Sequence, residues 1–321
     1  MSGFTVVAHA DWSGARTGAA AKRQVAVARR EGHVWRLAAP EPVGDPAVLA
    51  PRLHALADGG AALLALDVPI GLPRRFAEAH LGGFGSFPAW LDALGPASPF
   101  LSVAATLDDV SPARPFFPLG AVSGPGLKAG FLARLGLDDA ALLRACDRAG
   151  RTANGGRIAR ACGIFWTVGG NQVGKAALSA WAELLVPARR EGLRLWPFEG
   201  SLAALASAGA LGAAEAYPAE GYARLGFSAP SRKRTQAWRK AQAGAIEAWC
   251  ARHRIVPAPA LAALIGDGFG PRPDGEDAFD ATVGALAAIA VASGADPEGT
   301  PDDPAIRTWE GWMLGRADQP A

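Results

Sequence analysis

The chain has 321 residues, of which 50% are hydrophobic and 19% are charged, as is ordinary for a packed globular protein of one large or two smaller domains. Its 32 basic and 30 acidic residues leave a net charge of +2, which neither requires nor excludes a nucleic acid partner. The three cysteines are widely separated and include no C-x-x-C pair, which argues against a disulfide framework and a structural zinc site. Because we find no signal peptide and no apolar run long enough to span a bilayer, we expect a cytoplasmic protein.

The first part of the chain has the pattern of a strand meander followed by a helix and a buried strand. The meander is predicted to contain strands over residues 4–10, 24–30 and 33–38. Asp45 and Pro46 have the chemistry of a helix N-cap and first turn, which predicts a helix over 45–57. A fourth strand, over 61–67, follows this helix.

The pattern becomes irregular after the fourth strand. Residues 82–126 are rich in proline and glycine and have no dominant period, so we interpret about 74–162 as an insertion. The remaining elements are helices over 137–151, 176–185, 231–253 and 277–292, and strands over 163–168 and 193–198. We find no repeat or linker, and therefore predict a single domain over 1–321.

Four aspartates stand at the ends of these predicted elements, where folding could bring them together. Asp11 and Asp67 follow the first and fourth strands, and Asp277 and Asp280 open the last helix. Residues at i and i+3 share one face of a helix, so the last two carboxylates point the same way. Because charged carboxylates are costly to hold in apolar surroundings without a partner, a shared divalent metal ion is the simplest explanation.

Each aspartate also has a structural explanation of its own. Asp277 could cap its helix or complement the helix dipole, and Asp67, which precedes Val-Pro, could accept hydrogen bonds in a turn. Asp11 begins a turn that reaches Gly14, but turn formation there would not require the other carboxylates. Taken together, the four positions favour a metal site over four separate explanations.

Five motifs of the chain resemble those of a family known as domain of unknown function 429. These motifs are Ala10-Asp-Trp-Ser-Gly14, Asp67-Val-Pro-Ile-Gly-Leu-Pro73, Gly169-Gly-Asn-Gln-Val-Gly-Lys175, Glu215-Ala-Tyr-Pro-Ala-Glu220 and Asp277-Ala-Phe-Asp-Ala281. The strand order and the placement of the aspartates also resemble the ribonuclease H-like fold as Holliday-junction resolvases use it. The resemblance implies an α/β fold with a mixed sheet flanked by helices, metal-binding carboxylates at the four aspartates and a nuclease-like activity. Those resolvases have Glu where this chain has Asp67.

The carboxylates and the resemblance together predict a phosphodiester hydrolase that depends on Mg²⁺ or Mn²⁺. Two such ions can activate a water molecule and stabilise the leaving oxygen, and these hard cations prefer oxygen ligands. We expect Asp11 to bridge both ions, Asp67 and Asp280 to hold one each, and Asp277 to assist. Glu215 is a further candidate catalytic carboxylate, because the resemblance includes it.

The candidate substrate-binding residues are basic or polar. Arg232, Lys233 and Arg234 form a dense basic run that could neutralise the phosphates of a nucleic acid. Lys175, at a predicted helix start, could hold a phosphate, and Ser13 lies in the first motif. The expected partner is therefore a nucleic acid or a phosphorylated small molecule.

Two alternative functions remain open at this stage. Residues 169–175 satisfy G-x-x-x-x-G-K, which is typical of a phosphate-binding loop in a nucleotide-binding phosphotransferase or ATPase. Against this function, Ala176 stands where Ser or Thr would hold Mg²⁺. The other alternative is a non-catalytic relative of the fold that uses the carboxylates to bind a ligand.

Overall fold

The computed structural model describes residues 3–14, 22–120, 124–151, 157–158, 160–167, 173–227, 232–271 and 275–317. The strands in chain order are β1 (Phe4–Asp11), β2 (Gln24–Glu31), β3 (Val34–Leu37), β4 (Glu41–Pro42), β5 (Ala61–Leu66), β6 (Gly150–Arg151), β7 (Arg157–Ile158), β8 (Arg194–Leu195), β9 (Leu211–Glu215) and β10 (Ile255–Pro257). Strands β6 and β7 pair with each other, and the other eight form one mixed sheet.

The helices are α1 (Pro46–Ala57), α2 (Arg74–His80), α3 (Phe87–Asp92), α4 (Leu127–Leu135), α5 (Val173–Ala180), α6 (Val186–Arg190), α7 (Leu202–Ser207), α8 (Pro218–Leu225), α9 (Gln236–Ala241), α10 (Ala243–Arg252), α11 (Pro259–Asp267) and α12 (Gly275–Ala292). A π-helical turn, Trp181–Leu185, joins α5 to α6. None of the helices in the described ranges combines the length and the hydropathy of a membrane span.

The order of strands in the sheet is β10-β3-β2-β1-β5-β9-β8, and β4 pairs with β2 outside this order. Strand β2 is antiparallel to β1 and β3, whereas β1, β5, β9 and β8 are parallel to their neighbours in that series. In the register of β1 and β5, Ala10 lies opposite Leu66. Both strands therefore end at the same edge of the sheet, where Asp11 and Asp67 are neighbours.

Alternation along the central strands divides the core into two layers. On β1, Val6, Ala8 and Ala10 belong to one layer and Val7 to the other, because successive side chains of a strand point to opposite faces. Helix α1 and the α5–α6 segment cover the first layer. Helix α12, which is rich in small apolar residues and buried over most of its length, packs across β1 and β2 on the other face.

A close contact between β1 and α12 depends on Gly284. The imidazole of His9 is fully buried there, and its Nε2 lies 3.1 Å from the carbonyl oxygen of Ala216. A Cβ atom at position 284 would overlap the His9 ring. Glycine therefore lets the helix approach the strand, and this approach brings the first turns of α12 to the edge where β1 ends.

The coarser part of the predicted fold class, an α/β protein with a mixed sheet flanked by helices, is confirmed. The first four predicted strands and the helix between them are present, and the Asp45 side chain caps that helix by accepting a bond from Ala47 N at 3.0 Å. The last helix is also present and begins at Gly275. The predicted helix over 176–185 is formed by α5 and the π-helical turn that continues it.

The predicted helix over residues 137–151 is wrong. This segment forms two short 3-10 turns, Asp139–Leu142 and Ala145–Asp147, and then enters β6. The Asp138 side chain accepts a bond from the backbone N–H three residues ahead, and the Asp147 carboxylate from the backbone N–H three residues behind. Such bonds offer the backbone an alternative to continuous helical bonding.

The predicted strand over residues 163–168 is also wrong for residues 163–167. Val168 lies outside the described residues. Residues 164 and 165 form a turn, and Trp166 makes a single bridge to Phe117. The apolar residues here serve an aromatic cluster, in which the Phe165 ring packs on that of Phe76 with a centroid separation of 4.5 Å. Burial without strand pairing explains the misleading apolar pattern.

Two other predicted elements are shorter than expected. The strand over 193–198 is reduced to β8. The helix over 231–253 is divided into α9 and α10 at Gln242, and Arg232 to Arg234 precede α9 in a turn. The basic run therefore does not lie on a helix face. The domain limits and the insertion at about 74–162 stay predictions.

Candidate functional site

The four predicted aspartates line one cavity of about 390 Å³ at the edge where β1 and β5 end. Asp11 is the last residue of β1, and the backbone N–H of Asp67 donates to Ala10 O at 3.0 Å, which extends the pairing beyond β5. Asp277 and Asp280 come from the first two turns of α12. Helix capping does not explain Asp280, because it lies beyond the first turn and is buried.

Burial and neighbouring acidic charges raise the pKa of Asp11, Asp67 and Asp277. Burial raises the pKa of Asp11 most, and the charges of Asp280, Asp67 and Asp277 raise it further. Burial, followed by the charge of Asp280, raises the pKa of Asp67 to about 7, although Lys233 and a hydrogen bond with Asp11 oppose the rise. Burial and then Asp280 raise the pKa of Asp277 to about 6. Bound positive charge among these acids would relieve both their repulsion and the cost of their burial.

Lys233 supplies positive charge at one side of this group. Its Nζ lies 2.6 Å from Asp280 Oδ2 and 3.0 Å from Glu276 Oε1. The Asp280 carboxylate also accepts a hydrogen bond from the Tyr222 hydroxyl. Burial lowers the pKa of Lys233, but Asp280 and Glu276 outweigh this effect and hold it above its ordinary value. Asp280 is therefore neutralised within the chain.

Unlike Asp280, the other three aspartates have no basic partner among the described residues. No lysine, arginine or histidine of the described ranges lies within ion-pair distance of any of these three carboxylates. Asp11 is nevertheless buried, with 9% of its surface exposed. Buried carboxylates without an ion pair are a common mark of binding or catalytic sites.

Glu215 lines the same cavity but belongs to a separate ion-pair network. The fully buried Arg144 guanidinium donates to the two Glu215 oxygens at 2.6 and 2.7 Å and to Asp147 at 2.8 Å. The backbone N–H of Ile70 also donates to Glu215, at 2.8 Å. These bonds fix the Glu215 carboxylate, and its catalytic role stays a prediction.

A tighter group of possible metal ligands lies beside Arg144. Ligand atoms of Cys146, Asp147 and Glu215 all lie within 4.8 Å of one another, the one such group of three among the described residues. Arg144 already bonds both carboxylates, and burial raises the pKa of the Cys146 thiol well above its ordinary value. A metal ion there would face a guanidinium and a protonated thiol, so we assign this group a structural role.

The other predicted substrate-binding residues are only partly brought to the cavity. Ser13 and Lys233 line it, and the Ser13 carbonyl accepts a bond from Arg23 Nε at 3.0 Å. Lys175 lies in α5, and its Nζ donates to Leu119 O at 2.9 Å. Residues 169–172 of the predicted phosphate-binding loop lie outside the described residues. Arg232 and Arg234 are exposed and do not contribute to the cavity wall.

Sequence reasoning missed several residues of this site. Tyr222 lies two residues beyond the fourth motif, so its position was a weak signal. Lys22 could have been found from strand pairing, because Gln24 of β2 pairs with Asp11 and so places the start of β2 beside the site. Arg160 also lines the cavity, and no pattern in the sequence points to it.

Comparison of the chain with protein-family models, curated proteins and solved structures finds no match. The site must therefore be interpreted from its own chemistry. Its carboxylate oxygens are the ligands that Mg²⁺ and Mn²⁺ prefer. A buried Asp11 beside Asp67, neither of them in an ion pair within the described ranges, fits such a cation.

Proposed function

We propose that this protein is a metal-dependent phosphodiester hydrolase with a ribonuclease H-like fold, related to the domain of unknown function 429 family. One observation carries the proposal: Asp11, Asp67 and Asp277 come from three separate elements and line one cavity, and each carboxyl group has a raised pKa. Acids that meet in this way are suited to hold a divalent cation.

The fold part of this proposal is supported by the layout of the sheet. Its central strands run in the order β3-β2-β1-β5-β9, with β2 antiparallel to both of its neighbours in that order. Acids follow β1 and β5, and an Asp-x-x-Asp pair lies at the start of the last long helix. This arrangement agrees with what the sequence resemblance implies.

Each acid has a proposed role. Asp11 and Asp67 lie side by side at the strand ends and form the core of the metal site, and Asp277 completes it from α12. Asp280 is the fourth candidate ligand, although Lys233 competes for its charge. A divalent cation, when bound, supplies an activated water nucleophile and neutralises charge that develops on the phosphoryl group. Arg144 and Glu215 position the adjacent wall of the cavity.

The direct test is the variant Asp11→Asn, which keeps the size of the side chain but removes its charge. We expect this variant to lose Mn²⁺ binding in isothermal titration calorimetry. We also expect its hydrolysis of bis(p-nitrophenyl) phosphate to fall by roughly 100-fold or more. The matched control is Asp302→Asn, which changes an exposed aspartate outside the cavity and should leave both quantities unchanged.

The alternatives predict different results in the same experiments. Absence of Mn²⁺ binding in the unmodified protein, or full binding by Asp11→Asn, would contradict the proposal. Metal binding without hydrolysis of any phosphodiester would favour the non-catalytic alternative. The nucleotide-binding alternative gains no support from the described part of its loop, because the Lys175 ammonium donates to the carbonyl of Leu119.

A further inference from the structure

Lys233, the central residue of the basic run beside the cavity, is engaged in internal ion pairs. Lys233 pairs with Asp280 and Glu276, and Arg234 Nε lies 3.6 Å from Glu276 Oε2. Arg239, fully buried in the second half of α9, donates to the backbone carbonyls of three other residues. Lys233 and Arg239, used in this way, contribute little to the neutralisation of a polymer's phosphates, on which non-specific nucleic acid binding depends. Arg232 and Arg234 are exposed, but they lie outside the cavity wall.

Besides Lys233 and the ion-paired Arg144, two basic residues line the cavity. Lys22 lies two residues before Gln24, the residue of β2 that pairs with Asp11, and its charge lowers the pKa of Asp277 against the larger effects of burial and acidic neighbours. Arg160 lies between β7 and Cys162 in another part of the wall. Both side chains are exposed, and neither forms an ion pair with any residue of the described ranges. Their charge is therefore available to a ligand.

The dimensions of the cavity suit a small ligand. Its volume of about 390 Å³ lies within the range of ordinary small-molecule sites. Tyr217, which is half-buried, lines the cavity together with Val68 and Met313, so an apolar surface adjoins the charged groups. A ligand with an anionic group and a planar organic group would match both surfaces.

We infer that the cavity binds a small phosphate ester with a planar organic group, and not a nucleic acid polymer. Lys22 and Arg160 bind the phosphate oxygens, and Tyr217 contacts the organic group. This inference deepens the proposed function by naming the substrate class, and it rests on that function only for the hydrolytic step. Anion binding by Lys22 and Arg160 can be measured separately from hydrolysis.

The test compares a small ligand with a polymer. Binding of thymidine 5′-monophosphate is measured by isothermal titration calorimetry, and binding of a labelled single-stranded DNA oligonucleotide by fluorescence anisotropy at the same salt concentration. Lys22→Met and Arg160→Met should each weaken binding of the mononucleotide by about 10-fold, as expected for loss of one charge-assisted hydrogen bond. Lys240→Met, which changes an exposed lysine of α9 outside the cavity, should have no effect.

Two results would overturn the inference. One is unchanged mononucleotide binding in both cavity variants. The other is tighter binding of the oligonucleotide than of the mononucleotide, with Lys240→Met or Arg232→Met weakening it. Failure of the proposed function is distinguishable from either: if no phosphodiester is hydrolysed but mononucleotide binding still depends on Lys22 and Arg160, the binding inference holds and the hydrolase proposal fails. Arg160→Lys, which keeps the charge, should recover part of the lost affinity.

Discussion

Lys233 is the single residue with the most direct influence on the acidic site. Its ammonium bonds Asp280 and Glu276, and its charge lowers the pKa of both Asp11 and Asp67 against the larger effect of burial. In the metal-free protein it therefore acts as the counter-charge of the group. A divalent cation that binds Asp280 has to compete with it.

The variant Lys233→Met tests this competition, because Met has a similar length and no charge. At pH 8 we expect the metal-free variant to lose roughly 1–3 kcal/mol in free energy of unfolding, since it leaves partly buried carboxylates without a partner. We also expect Mn²⁺ to bind more tightly, because its competitor is gone. Urea denaturation and calorimetry measure the two effects, with Lys240→Met as the control. Weaker Mn²⁺ binding by the variant would contradict this competition and would mean that Lys233 holds the acidic side chains in position for the metal ion.

At the scale of secondary-structure elements, the approach of α12 to β1 controls the site. Asp11 ends the strand, and Asp277 and Asp280 begin the helix, so their separation depends on how closely the two elements pack. Gly284 and the buried His9 ring meet at the middle of this contact. A larger side chain at position 284 would move the helix away from the strand or displace the ring.

The variant Gly284→Ala should therefore destabilise the protein, although alanine is the better helix former. We expect a loss of roughly 1–3 kcal/mol in free energy of unfolding, typical of overpacking in a core. The control is Gly244→Ala in α10, where a Cβ atom would meet no neighbour within 4 Å. That substitution should stabilise the protein by roughly 0.5–1 kcal/mol. Equal stability of Gly284→Ala and the unmodified protein in urea would show that the contact adjusts without cost.

The regular elements could be predicted from the sequence where their local signals agree with the packing. Asp45 and Pro46 mark the start of α1, and small apolar residues extend without interruption through α12. The segment 137–151 lacked such agreement, because Asp138 and Asp147 bond the local backbone and Arg144 turns into the core. Those contacts depend on tertiary structure, which a helical period does not encode.

The acidic residues of the site could be predicted from the sequence, but the residues that surround them could not. The four aspartates were found because they stand at element ends, and strand register then fixes Asp11 beside Asp67. The pairing of Lys233 with Asp280 was not predicted, because Lys233 belongs to a basic run with the composition of a solvated surface. Tyr222 and Arg160 reach the site from elements whose placement only the folded chain determines.

At the scale of the whole molecule, two buried groups give stability opposite dependences on pH. Burial lowers the pKa of His9 from 6.5 to about 4, so the unfolded chain takes up a proton first, and stability is lost as pH falls from about 6.5 to about 4. Burial and Asp280 raise the pKa of Asp67 from 3.8 to about 7, so the folded state keeps its proton longer. The contribution of Asp67 is fully present below about pH 3.8 and is lost as pH rises through about 7.

Because the two effects oppose each other between about pH 4 and 6.5, the variant Asp67→Asn is needed to isolate the carboxyl group. In the presence of EDTA, we expect the variant to become more stable relative to the unmodified protein as pH rises. The rise in the pKa of Asp67 from 3.8 to about 7 corresponds to a difference of roughly 4 kcal/mol at pH 8, and the difference should be close to its minimum near pH 4.

Addition of Mn²⁺ should reverse this order at pH 8. Only the unmodified protein then has the carboxylate pair of Asp11 and Asp67, and a ligand that binds the folded state stabilises it by an amount that grows with the logarithm of the ligand concentration relative to Kd. Mn²⁺ should also bind more tightly at pH 8 than at pH 6, because binding has to displace the proton from Asp67. Urea denaturation at both pH values, with EDTA and with Mn²⁺, measures all these differences. Equal stabilisation of both proteins by Mn²⁺ would mean that the acidic site is a source of instability without a role in metal binding.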